Sequence, residues 1–239
     1  MSKRPMSKSN SSQPYQGQKG IPAKKSKGFE IEFSPKTENQ KLLQDSIEKH
    51  NIVVSVGSAG TGKSFTAIAI GLQKLMAGDI QKLIFIRSNT LSEYYGWLPG
   101  TIEEKCDLIF QPMMNIVEDL LPDYIIENLI LEERLILAPI GYLRGTTFPE
   151  NSYIVLDELQ NLTPNKVFLV LSRISLGTKI ICNGDITQSD LNSNETNGLI
   201  DLIKRINGES DFGLVEFTMD DIVRSQMCRR IVEIFSKKI

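Results

Sequence analysis

Gly57-Ser58-Ala59-Gly60-Thr61-Gly62-Lys63-Ser64 decides how this chain is read. It fits the pattern G-x-x-x-x-G-K-[ST], in which a glycine-rich loop wraps phosphate. Glycine lets the backbone curl until successive N–H groups converge on phosphate oxygens. Upstream, Asn51 to Val56 is a short, β-branched apolar run, the mark of a buried strand. Downstream, Phe65 to Met76 carries Ala, Ile, Leu and Met without proline, the mark of a helix. That order puts a helix N-terminus, with its partial positive charge, at the phosphate. Gly57, Ser58, Ala59, Gly60, Thr61 and Gly62 are therefore expected to cradle the phosphates of a nucleotide. Lys63 is expected to reach the β- and γ-phosphates, and the Ser64 hydroxyl to ligate Mg2+.

A second apolar run, Tyr153-Ile154-Val155-Leu156, ends in Asp157-Glu158-Leu159-Gln160. Delivering two adjacent acids from a buried strand is costly without partners, so the pair points to a cation. Asp157 is expected to hold Mg2+, and Glu158 to orient or deprotonate an attacking water. Lys179-Ile180-Ile181-Cys182 reads as another strand, with the polar tip Asn183-Gly184-Asp185-Ile186-Thr187-Gln188, where Gln188 could sense a γ-phosphate. Lys82 to Asn89 is a strand whose Arg87 faces either a ligand or an ordinary ion partner. Gln40, in a helix expected from about Asn39 to Lys49, offers a donor and an acceptor that suit the edge of adenine. Tyr94 to Gly100 is an aromatic loop, suited to stacking on bases or to lidding a core. A mostly helical stretch from Ile102 to Leu121, a strand from Glu133 to Ala138, a helix from Gly198 to Ile206, a strand from Phe212 to Phe217 and a helix from Gln226 to Lys237 complete an alternating pattern. The expected fold class is α/β, a P-loop NTPase domain with a mostly parallel sheet.

At 239 residues the chain holds one sizeable core. No apolar run approaches the roughly 20 residues of a membrane span, and no signal peptide opens the sequence. The three cysteines, Cys106, Cys182 and Cys228, form no metal or disulfide spacing, and the expected location is cytoplasmic. The single histidine, His50, has no second histidine with which to share a metal. Net charge is −2, yet residues 1–28 carry seven basic residues and no acid. This head is also rich in Ser, Gln, Pro and Gly, so it is expected to be a disordered basic arm, either holding nucleic acid by counterion release or merely solubilising. Residues 29–239 are expected to form a single domain.

GSAGTGKS, LDELQN and GDITQ, in that order, resemble motifs I, II and III of superfamily 1 helicase cores. With PKTENQ, GWLPGTIEEK, APIGYLRGTTF, KIICNGDITQSDL and VEFTMDDIVRS added, the chain from about Phe33 onward resembles the PhoH family of phosphate-starvation-inducible ATPases. The resemblance implies a three-layer RecA-like fold, ATP hydrolysis and a role on RNA or single-stranded nucleic acid. It places Gln40 at adenine, Lys63 and Ser64 at phosphate and Mg2+, Asp157 and Glu158 in the acid pair, Gln188 at the γ-phosphate, and Arg224 as an arginine finger. Two departures stand out. The usual R-G-R-T is Arg144-Gly145-Thr146-Thr147 here, and the usual D-E-A-Q is Asp157-Glu158-Leu159-Gln160.

Helicases of superfamily 1 use two such domains, and only one fits here, so ATP hydrolysis is expected ahead of strand separation. The adjacent acids and the GDITQ tip favour hydrolysis over a small-molecule kinase. Asn165-Lys166-Val167-Phe168 lacks the aspartate of a guanine signature. A nucleotide-gated scaffold on a partner ribonuclease, with little turnover, is the non-enzymatic alternative. With a fixed second domain absent, Arg224 is expected to act on a neighbouring copy in a closed homo-oligomer, a hexamer foremost.

Overall fold

The computed structural model describes residues 29–87, 102–191 and 194–236. The basic head and the Tyr94–Gly100 aromatic loop lie outside the described residues. Six strands, β1 (Ile52–Val56), β2 (Lys82–Arg87), β3 (Leu135–Pro139), β4 (Ser152–Asp157), β5 (Lys179–Gly184) and β6 (Phe212–Glu216), form one sheet in the order β3-β2-β4-β5-β1-β6. Every pairing is parallel, so the sheet is wholly rather than mostly parallel. Parallel strands need crossovers, and the helices that make them cover both faces. This is why the strands read as unbroken apolar runs: all six residues of β4 are buried, whereas burial alternates along the edge strand β6.

The seven described helices are α1 (Glu38–Lys49), α2 (Lys63–Ala77), α3 (Ile102–Leu120), α4 (Asp123–Leu131), α5 (Pro164–Leu171), α6 (Gly198–Ile206) and α7 (Gln226–Ser236). Alternate strand residues point to opposite faces. Val53, Leu83, Phe85, Tyr153, Val155 and Ile181 pack against α1, α2, α3 and α4. Val54, Ile84, Ile154, Leu156, Ile180 and Cys182 pack against α5 and α6. The result is three layers. Among the described residues no helix is long and apolar enough to cross a membrane.

Helices α4 and α5 are additions to the expected pattern. Both are short, and their apolar runs resemble strand segments. Only the local signals at their starts, Pro122-Asp123 and Thr163-Pro164, betray a helix N-terminus. β4 extends one residue past Leu156, so that Asp157 itself is the last strand residue, paired with Arg87 of β2.

Two further contacts seat α2 and the C-terminal turn on the rest of the fold. Helix α2 lies close on β4: a Cβ at Gly71 would sit 2.8 Å from the Tyr153 ring, and Tyr153 Oη donates to Ala67 O at 2.9 Å. After β6, Asp221 Oδ2 accepts from Thr218 N at 2.8 Å and from Asn39 Nδ2 at 2.7 Å, tying the C-terminal turn to α1. Burial alone would raise the Asp221 pKa, but bonds from Asn39, Thr37 and Thr218 hold it below the usual carboxylate range.

Helix propensity favours Gly71→Ala by about 1 kcal/mol. The added methyl meets a fully buried ring on a central strand, and overpacking of that kind costs about 1–3 kcal/mol. We expect the substitution to lower the urea midpoint; a raised midpoint would show that α2 can lift off β4 freely. Asp221→Ala removes the acceptor shared by Asn39, Thr37 and Thr218 and should cost about 1–3 kcal/mol near neutral pH. Because the folded pKa is lowered, that stability is present above the unfolded carboxylate pKa and is lost as pH falls through the folded one. Urea melts of the two proteins should therefore converge in acid, and a gap independent of pH would sink the assignment.

Candidate nucleotide site

β1 ends at Val56, and the chain passes through the glycine loop directly into α2. Gly57 has φ 151°, and a Cβ there would lie 2.6 Å from Phe217 O. Gly62, at φ 83°, is the N-cap of α2 and makes no side-chain cap bond, an arrangement that suits an anion at the helix N-terminus. Lys63 Nζ donates to Gly57 O at 2.6 Å and to Ser58 O at 2.8 Å, and lies 3.3 Å from Thr61 Oγ1. Only 9% of Lys63 is exposed. Its burial lowers the ammonium pKa, against the opposing pull of Asp185, Asp157 and Glu158.

The acids come from β4, two strands away, because β5 lies between β1 and β4. Asp157 Oδ1 nevertheless accepts from Ser64 Oγ at 2.8 Å, joining the first turn of α2 to the end of β4. Burial, reinforced by Glu158, raises the Asp157 pKa, while Arg87, the Ser64 bond and Lys63 pull it down. A hydroxyl and a buried carboxylate side by side are hard oxygen donors, and they fit Mg2+. No group of three or more His, Cys, Asp or Glu among the described residues could hold a metal. A Mg2+ ion here would thus complete its shell with water and phosphate oxygens, as that ion commonly does.

Glu158 stands at φ 57°, a left-handed conformation that few non-glycine residues adopt. Its Oε1 lies 3.1 Å from Arg87 Nη2, and its Oε2 accepts from Gln160 Nε2. Arg87, open between ligand and ion pair on sequence grounds, makes the ion pair. Gln160, 2% exposed, also accepts the Asp185 N–H on Oε1 at 3.0 Å, so one amide links the acid pair to the tip of β5. Asp185 Oδ1 accepts from Thr187 N at 2.9 Å and Thr187 Oγ1 at 2.6 Å, while its buried Oδ2 has no hydrogen-bond partner among the described residues. Sequence reasoning assigned Gln160 and Asp185 no role. The signal was present, since each follows a strand end, but which polar tips touch depends on strand order.

One cavity of about 750 Å3 gathers these groups. Ala59, Gly60, Gly62, Lys63, Ser64, Asp157, Glu158 and Gln188 line it, with Phe33, Phe65, Met113 and Ile116 as an apolar wall. Gly57, Ser58 and Thr61 do not line it and instead serve Lys63 as partners. Gln40 lines it too, but its amide is engaged: Oε1 accepts from Lys36 N at 2.8 Å, and Nε2 donates to Thr61 O at 3.0 Å. One amide hydrogen and one lone pair remain. Arg224 also lines the cavity of its own chain. The adjoining Val223 N–H donates to Gly60 O at 3.2 Å, so the turn that carries Arg224 is fastened to its own glycine loop.

The chain matches the family model "PhoH-like protein" over residues 32–236. A PhoH-like protein of Bacillus subtilis (strain 168) is 32% identical over 216 residues, covering 90% of this chain and 67% of the relative. A PhoH-like protein of Mycobacterium tuberculosis (strain ATCC 25618 / H37Rv) is 33% identical over 204 residues, 85% of this chain and 58% of that one. Protein PhoH of Escherichia coli (strain K12) is 33% identical over 194 residues, 80% and 54% respectively. The chain therefore spans between about half and two thirds of the length of these relatives. Among solved structures, the large terminase of a thermophilic bacteriophage aligns over 86% of this chain and 52% of its own, with TM-score 0.53 and 13% identity. The same terminase in complex with ADP gives TM-score 0.51 at 13% identity. At that identity the likeness is one of fold, a RecA-like P-loop domain. With the family model covering nearly all of the described residues, the chain belongs to the PhoH family.

Proposed function

We propose that this chain binds Mg2+–ATP in the cavity beside the glycine loop and hydrolyses it, with turnover coupled to RNA or single-stranded nucleic acid. The observation that carries the reading is the meeting of Lys63, Ser64, Asp157 and Glu158 in one cavity, with Ser64 bonded to Asp157 at 2.8 Å. The loop N–H groups and Lys63 bind the β- and γ-phosphates. Ser64 and Asp157 would hold Mg2+, which supplies positive charge against the phosphate oxygens. Glu158 takes a proton from water as the water oxygen bonds to the γ-phosphorus and the bond to the β,γ-bridging oxygen breaks, giving ADP and phosphate. Gln188 reads the γ-phosphate, and Gln40 meets adenine with the hydrogen and lone pair left to it.

Arg224 supplies a further cation to the charge that spreads over the γ-phosphoryl oxygens. Since it lines the cavity of its own chain, Arg224 acts in cis rather than on a neighbouring copy. A homo-oligomer is compatible with that arrangement but is not needed to complete the site. The nucleic-acid part rests on the family resemblance and on the basic residues of the head, and the ribonuclease-scaffold alternative parts from it in turnover.

Glu158→Gln should cut ATP turnover by about a hundredfold or more while leaving nucleotide binding intact. Lys63→Ala should weaken both. Turnover measured alone, with single-stranded RNA and with single-stranded DNA, tests the coupling; tight ATP binding with negligible turnover in all three supports the scaffold instead. For Arg224, inactive Arg224→Ala and Lys63→Ala proteins mixed after joint unfolding and refolding should stay inactive if the arginine acts in cis. Recovered activity in the mixture would place it across an interface.

A further inference from the structure

Resting on the hydrolase reading above, we propose that Arg87 is the positioning residue for the Glu158 base and fastens that base to helix α3. Arg87 closes β2 directly beside Asp157 in the parallel register. Its guanidinium forks: Nη2 lies 3.1 Å from Glu158 Oε1, and Nη1 donates to Ile109 O at 2.9 Å. A planar, permanently charged fork holds two acceptors at a set angle, which the single ammonium of a lysine does not. The Arg87 side chain is 18% exposed and that of Glu158 36%, so the pair sits in the cavity wall, where solvent screens it less than a surface ion pair.

Glu158 needs such a hold. Its left-handed backbone follows the last residue of β4, and the hydrogen bonds to its carboxylate come from Arg87 and Gln160, one on each oxygen. A carboxylate has about four lone-pair sites, so two donors orient the group and still leave acceptor capacity for a water. Two fixed directions are what a base requires if its remaining lone pairs are to face the reacting water.

The second arm of the fork gives the pair its reach. α3 contains Pro112, which has no N–H and interrupts the helical ladder in that turn. Arg87 grips the helix at the same turn, through Ile109 O. From that turn and the next, Pro112, Met113 and Ile116 face the cavity. The apolar wall and the base therefore share one guanidinium, and a molecule seated against that wall bears on the element that orients Glu158.

Arg87→Met keeps most of the aliphatic stem and removes the fork. With Mg2+–ATP, kcat should fall about tenfold or more with KM for ATP within about twofold, because the two bonds of Arg87 go to Glu158 and α3 rather than to the phosphate loop. Arg87→Lys, which keeps the charge but reaches one acceptor at a time, should recover part of the loss. In a Glu158→Gln background Arg87→Met should produce no further fall in single-turnover rate, since it acts through Glu158. Urea midpoints need no turnover, and there the effects of Arg87→Met and Glu158→Gln should be less than additive. An unchanged or raised kcat, a KM that climbs as kcat drops, an equal loss with and without Glu158, or additive midpoints would each overturn the positioning role. Absence of ATP turnover in the unaltered protein would overturn the hydrolase reading instead, and the urea cycle would still report on the pair.

Discussion

The parallel direction of all six strands is the constraint on which the rest of this structure depends. It forces every strand to deliver its last residue to the same edge, so that the glycine loop after β1, Arg87 of β2, Asp157 of β4 and the tip of β5 become neighbours without being near in sequence. It also forces helices onto both faces, which buries the strands and leaves that edge as the place where charged groups can meet a ligand. Strand order then assigns partners. With β5 between β1 and β4, Gln160 can bridge Glu158 to Asp185, while Ser64 reaches Asp157 from the helix layer above.

Charge in this edge is held by mutual compensation. Lys63, Arg87, Asp157, Glu158 and Asp185 line one cavity, and burial opposes the charged form of both Lys63 and Asp157. Each cation is offset by nearby carboxylates and each carboxylate by cations or hydrogen bonds, so removing one member unbalances the others rather than deleting a single contact. One acceptor is left over: the buried Asp185 Oδ2 has no hydrogen-bond partner among the described residues. An unsatisfied carboxylate oxygen is costly in a folded core.

The C-terminal segment is part of the same arrangement. β6 leads to the turn fixed by Asp221, whose bonds to Thr218 and Asn39 set the position of Val223 and Arg224 against the glycine loop. α1, which carries both Asn39 and Gln40, thus braces the loop from one side and the arginine turn from the other.

The sequence by itself determined the alternating α/β pattern, the glycine loop, the acid pair and the polar tip of β5, because each is written in consecutive residues and follows from local chemistry: glycine conformations, apolar runs, acids at a strand end. Most expected elements lie close to their observed bounds. α4 and α5 escaped because short apolar runs do not separate helix from strand by periodicity. What only the tertiary structure decided is which of these pieces touch. That Arg87 meets Glu158, that Gln160 spans to Asp185, that Gln40 braces Thr61, and that Arg224 faces its own cavity all depend on strand order and on how α1, α3 and the last turn pack. The bonds that fix this arrangement join residues from 21 to 182 positions apart, and no local pattern encodes the sheet order that brings them together.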